Sequence, residues 1–132
     1  MNNLYNKKLR KFRLKGLKVH NKKLYFGFYG LKALETGRLD THVLDSFNQT
    51  ILRKLKPKGA KFWSSINPSI NVTKTSTSSR MGKGKGSLYK KIAFVRKGQI
   101  FCEISFLKKK DALHILKMGS SKLPIKTKFV IY

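Results

Sequence analysis

The chain has 132 residues, 40% of them apolar, which supports one compact domain and is too little for two. Its 31 Lys and Arg stand against five carboxylates, Glu35, Asp40, Asp45, Glu103 and Asp111, giving a net charge of +26 that calls for a permanent polyanionic partner. No apolar run reaches the length of about 18 residues that spans a membrane, and Cys102, the single cysteine, excludes an intrachain disulfide and leaves no pair spaced for structural zinc.

In chain order, residues 1–23 read as a basic arm that orders only on an anionic surface. Lys7, Lys8, Arg10, Lys11, Arg13, Lys15 and Lys18 supply its charge, with Tyr5 and Phe12 interleaved to stack on bases or pin the arm to the domain. The arm lacks the apolar core of a secretory signal and reads as a working part of the protein rather than a leader. Residues 24–132 then form a single domain. Leu24 to Leu34 reads as a strand in which Gly27 and Gly30 let another backbone come close.

Asp40 or Thr41 caps a helix with Leu44, Phe47, Ile51, Leu52 and Leu55 on one face, ended by Pro57 and Gly59. Arg53, Lys54 and Lys56 lie in its last turn, with Lys58 just beyond, where cations complement the helix dipole and can also meet RNA. Lys61 to Ile66 alternates as a half-buried strand with Phe62, Ser64 and Ile66 on one side and Lys61, Trp63 and Ser65 on the other. Residues 67–87 then turn to Ser, Thr, Gly and Lys and read as one long loop, a length that in compact domains is functional or disordered.

Lys91 to Val95 and Gln99 to Ser105 read as two strands joined by a hairpin turn of Arg96, Lys97 and Gly98. Ile100, Cys102, Ile104 and Phe106 share a face of the second, which makes Cys102 a small core residue rather than a reactive thiol. Lys108 to Ser121 reads as a second helix with Ala112, Ile115 and Leu116 as its apolar stripe. Lys108, Lys109 and Lys110 crowd its positive end, only partly relieved by Asp111, an arrangement that a neighbouring phosphate would explain. Ile125 to Tyr132 is a terminal strand with Lys126 and Lys128 on one side.

The most informative stretch is Arg80, Met81, Gly82, Lys83, Gly84, Lys85 and Gly86. Glycines at alternate positions let the backbone press against phosphate or sugar, two lysines bring charge, and Met81 can wedge against a base or ribose. The spacing fits neither the Walker nor the dinucleotide-binding loop. On chemistry alone the stretch is either a flexible linker or an RNA-probing tip.

The heptapeptide RMGKGKG, with KFW before it and KLPIK after it, resembles large ribosomal subunit protein sixteen of bacteria and organelles, the universal L-sixteen family. The match runs in order through Phe26-Gly27, Gly30-Leu31-Lys32-Ala33, Gly37-Arg38-Leu39, Lys61 with Trp63, Val72-Thr73, the 80–86 loop, Gly98, Glu103, Lys122 to Lys126 and Phe129-Val130. It departs at Ser65, Ser76, Ser78 and Lys90-Lys91, where the family has other residues.

The resemblance implies an α+β fold of the hammerhead type, two helices packed on a mixed sheet beside a basic N-terminal arm. It implies a structural part of the large subunit that binds large-subunit rRNA beside the aminoacyl-tRNA corridor and peptidyl-transferase region. Expected rRNA contacts are the arm cations named above, Arg53, Lys54, Lys56, Lys58, Lys61, Trp63, Lys108, Lys109, Lys126 and Lys128. The 80–86 loop would reach toward tRNA acceptor ends. Other expected partners are neighbouring ribosomal proteins, with no membrane, no homo-oligomer, no cofactor and no metal.

Catalysis is not expected, since His20, His42, His114 and the scattered carboxylates form no recognisable constellation. The alternative is a free nucleic-acid-binding regulator or compacting protein. The 25 lysines against 6 arginines, with abundant Phe, Tyr, Ile and Asn, point to an AT-rich genome. With Lys83 and the arm read as no presequence, they favour an organelle-encoded protein of the mitochondrial ribosome in the matrix, the bacterial cytoplasm being the alternative.

Overall fold

Alternating runs between turn residues become strands here, and the two stretches with apolar residues three and four apart become helices. The computed structural model describes residue 8, residues 23–82 and residues 84–132. In chain order its elements are β1 (Tyr29–Ala33), β2 (Gly37–Asp40), α1 (Thr41–Leu55), β3 (Lys61–Ser64), β4 (Ile70–Lys74), β5 (Ser87–Val95), β6 (Ile100–Ser105), α2 (Lys109–Ser120) and β7 (Thr127–Ile131). The expected α+β class with two packed helices stands. Its strands fall into two sheets, one of four strands in the order β3-β6-β1-β7 and one of three in the order β2-β5-β4, with every pairing antiparallel.

The two helices pack on each other, α2 also against β1 and β7, α1 also against β2, β3 and β5, so α1 touches both sheets. Leu44, Phe47, Ile51 and Leu55 form its buried stripe, while Leu52, expected with them, is half out in solvent. Phe47 meets Phe101 of β6 with ring centroids 6.0 Å apart. Ala112, Ile115, Leu116 and Gly119 are the buried face of α2. In β6 all six residues are buried, because the strand runs between β3 and β1 and is covered on both sides. Cys102 is fully enclosed there, and burial pushes its thiol up to about 12, so it stays protonated and inert as a core residue.

Four local expectations need correcting. The strand expected over Leu24 to Leu34 begins only at Tyr29, because the 25–27 backbone is drawn instead onto a side chain. Neither Asp40 nor Thr41 caps α1 through its side chain: the Asp40 carboxylate pairs with Lys90, and the Thr41 hydroxyl donates to the Lys91 carbonyl at 3.0 Å. Both groups are spent fastening the helix start to β5.

The long 67–87 loop contains β4, whose Ile70, Val72 and Thr73 pair with β5 across a register shift. The Arg96, Lys97 and Gly98 turn is tight but is no hairpin, since β5 and β6 lie in different sheets. Its Gly98 N–H donates to the Ala33 carbonyl, and Ala33 N–H donates to Gln99, both at 2.8 Å. Sequence spacing finds such a turn, but only the hydrogen bonds to β1 show that the chain is crossing between sheets.

The side chain that claims the 25–27 backbone is Glu103, at 1% exposure. Its Oε2 accepts the N–H groups of Tyr25, Phe26 and Gly27 at 2.9, 2.7 and 2.9 Å. Three convergent N–H donors form an anion-binding concavity that compensates a buried carboxylate. The segment can lie this close only because Gly27 has no Cβ, which would sit 2.7 Å from the Ile104 nitrogen. Just beyond the Ser105 end of β6, the end of α1 and the start of α2 are tied by Lys58, whose Nζ lies 2.9 Å from Asp111 Oδ1. That hydrogen bond holds the Asp111 carboxyl below its ordinary range.

Replacing Glu103 with Ala strands three donors, and the variant is expected to lose about 3 kcal/mol of stability in urea titration. Glu103→Gln should recover part of that loss, and equal stability of all three proteins would show that the cradle contributes nothing. For Asp111 the depressed folded value means that its contribution is present above the unfolded value of 3.8 and is lost as pH falls through the folded one. Asp111→Asn should therefore flatten the dependence of stability on pH below 3.8, and superimposable curves would disprove the link.

Candidate nucleic-acid interface

The β4–β5 hairpin projects the residues that the sequence singled out. Its last ladder pair is Lys74 with Ser87, and residues 75–86 form the tip. There Ser79 N–H donates to the Ser76 carbonyl at 3.1 Å and the Ser76 and Ser78 hydroxyls lie 2.9 Å apart, so these serines build the turn themselves. Arg80, Met81, Gly82, Gly84 and Lys85 are exposed, with Met81 fully so. Lys83 lies outside the described residues.

Gly82 and Gly84 have φ of +89° and +86°, with nothing within 4 Å of where a Cβ would be. Their requirement is therefore conformational: the left-handed region turns the tip while leaving its surface open. Gly86 is different, because a Cβ there would collide with the Lys74 carbonyl, so the tip closes where the two strands approach.

Below the tip, Tyr89 is exposed between two cations, with Lys74 Nζ 5.0 Å and Lys90 Nζ 5.8 Å from its ring centroid. Arg38 lies 5.4 Å over Phe94 in the same sheet. Sequence reading passed over Lys74 and Tyr89, because their stretch carries too few apolar residues to announce β4 and the outer half of β5.

The arm meets the tip at one described point, where Lys8 Nζ donates to the Lys85 carbonyl at 3.3 Å. Lys7, Arg10, Lys11, Arg13, Lys15 and Lys18, with Tyr5 and Phe12, lie outside the described residues. His42 and His114 are exposed, and His20 also lies outside the described residues.

The remaining expected contacts divide between two edges of the four-stranded sheet. Arg53, Lys54, Lys56 and Lys58 are exposed where α1 ends, and Lys61 and Trp63 lie on edge strand β3. Lys108 and Lys109 are exposed at the start of α2, and Lys58 and Lys108 line one open cleft. Lys126 and Lys128 are exposed at the opposite edge, on or just before β7, where Lys126 pairs with Glu35 at 3.3 Å. The structure thus brings Lys58, Lys61, Trp63 and Lys108 together and separates them from Lys126 and Lys128.

Among the described residues no helix is long and apolar enough to cross a membrane, and no group of three or more His, Cys, Asp or Glu is placed to hold a metal ion. What the surface offers is exposed cations beside exposed rings and an open glycine-rich backbone, the materials of phosphate and base contact.

The family model described as "Ribosomal protein L16p/L10e" matches residues 2–130. The chain is similar to "Large ribosomal subunit protein uL16" of Buchnera aphidicola subsp. Cinara cedri, at 38% identity over 94% of this chain and 90% of that protein. The protein of that name in Blochmanniella floridana is 40% identical over 92% of this chain and 90% of its own length. "Large ribosomal subunit protein uL16c" of Phaeodactylum tricornutum is 38% identical over 95% of this chain and 90% of its own. The chain therefore belongs to the ribosomal protein L16p/L10e family, as a structural component of the ribosome rather than an enzyme.

Proposed function

We propose that this protein binds large-subunit rRNA beside the aminoacyl-tRNA corridor and the peptidyl-transferase region, as a structural constituent of the large subunit. The exposed residues Arg80, Met81, Gly82, Gly84 and Lys85 of the tip carry the proposal, being cationic, glycine-rich and open to solvent at the end of the β4–β5 hairpin. Two sets of cations anchor the protein on rRNA: the N-terminal arm, and Arg53, Lys54, Lys56, Lys58, Lys61, Lys108, Lys109, Lys126 and Lys128, with Trp63 among them. The tip then reaches toward tRNA acceptor ends, and neighbouring ribosomal proteins complete the surroundings.

The residue bias toward AT-rich codons, and Lys83 as a mark of a bacterial or mitochondrial rather than a plastid member, support a mitochondrial ribosome as the first reading. The bacterial relatives favour the bacterial cytoplasm, which is the second reading. Phosphate contact positions such a protein without reading sequence, so its affinity should depend steeply on salt.

The protein should co-sediment with large subunits and leave them only at molar salt, and the particle that carries it, mitochondrial or bacterial, decides between the compartments. Deleting residues 1–18 removes seven cations and should lower the slope of log affinity against log salt by roughly 5. Recovery of the protein at low density beside intact subunits would refute the assignment. Lys83→Ala with Lys85→Ala should leave assembly intact and slow tRNA accommodation or peptide-bond formation roughly tenfold. Unchanged rates in purified ribosomes would reduce the tip to a spacer.

A further inference from the structure

Phe106 follows β6 directly, has a φ of +64° and leaves 66% of its surface exposed. Among the described residues no other non-glycine residue has a positive φ. Bulky side chains avoid this left-handed region, so the backbone is strained here to turn an aromatic ring outward instead of hiding it.

The ring has company. Lys61 Nζ lies 5.6 Å from its centroid, a cation against one face. Two residues along β3, and so on the same side of the strand, Trp63 stacks on Phe26 at 6.0 Å and 23°. Phe26 is itself 68% exposed, held there by the Glu103 cradle. On the other side Phe106 lines an open cleft of about 630 Å³ together with Phe28, Lys58, Lys108 and Asp111. That volume lies within the range of small-molecule sites. Three lysines surround the rings against the single carboxylate of Asp111, which Lys58 already neutralises.

The exposed rings of Phe28 and Phe106 on one cleft, bordered by cations, match the pattern by which proteins hold single-stranded nucleic acid: bases stack on rings, and phosphates lie on lysines. A duplex offers no free base face and would meet only the lysines. We propose that Phe106, flanked by Phe28 and by Lys58, Lys61 and Lys108, is a stacking site for an unpaired nucleobase of RNA, distinct from the 80–86 tip. The inference deepens the rRNA-binding reading and rests on it. The positive charge around the rings argues for this occupant over the apolar face of a protein neighbour.

The test uses the full chain and two labelled probes, a single-stranded oligoadenylate and an RNA duplex of equal length. Phe106→Gly removes the ring at a φ that glycine accepts, so the fold is kept. It should weaken oligoadenylate binding roughly tenfold, leave duplex binding unchanged and leave the salt slope unchanged. Phe106→Trp should retain the affinity, and Lys61→Ala should lower the salt slope by about 1. Equal weakening on both probes, or none, overturns the site while leaving general RNA binding intact; failure of the unmodified chain to bind either probe overturns both readings. In assembled large subunits, a benzophenone amino acid in place of Phe106 should crosslink to an rRNA nucleotide. Crosslinking to protein alone would assign the surface to a neighbouring chain and end the proposal.

Discussion

One buried carboxylate organises the middle of this protein. Glu103 sits in β6, the strand that joins β3 to β1, and gathers three backbone N–H groups onto one oxygen. A charge removed from water must be compensated by fixed dipoles or opposite charge, and here the 25–27 backbone does it. The same contact orders the approach to β1, determines where that strand begins and presents Phe26 to Trp63. A group that solves a folding problem thereby also shapes the surface beside β3.

The other carboxylates are used with similar economy. Glu35, Asp40 and Asp111 each take a lysine of the same chain, Lys126, Lys90 and Lys58. Their pairs are partly exposed, so their contribution is modest and salt-sensitive. They matter more as pins: Asp40 and Lys90 join the start of α1 to β5, while Lys58 and Asp111 join the end of α1 to the start of α2. With four of the five acids engaged internally, little negative charge is left to neutralise the outward lysines. That imbalance is favourable only next to a polyanion.

The helices were readable because their signal repeats: Leu44, Phe47, Ile51 and Leu55 keep helical spacing over about three turns, and Ala112, Ile115 and Leu116 do so more briefly. Strand β6 announced itself through Ile100, Cys102 and Ile104. The 80–86 tip was legible as a motif because its glycines and lysines have no core role that would explain them. By contrast β4 and the start of β5 escaped notice, since the alternation of Ile70 and Val72 with Asn71 and Thr73 is too short to stand out and Leu88 and Tyr89 are adjacent rather than alternating, and these strands exist through their pairing with each other. Phe106 was misread as one more member of a buried face, because alternation cannot foresee a positive φ at the strand's end.

The sequence alone therefore determined the chemistry: the charge, the inert single thiol, the two amphipathic helices and the glycine-lysine tip. These depend on residue type and short-range spacing, which the chain carries locally. Only the tertiary structure decided that the turn after β5 crosses between sheets, that Glu103 binds the backbone some 76 to 78 residues before it, and that Lys58, Lys61 and Lys108 gather around Phe106 while Lys126 and Lys128 do not. Such pairings depend on which distant segments the packed core brings within hydrogen-bond reach, and local periodicity contains no record of that.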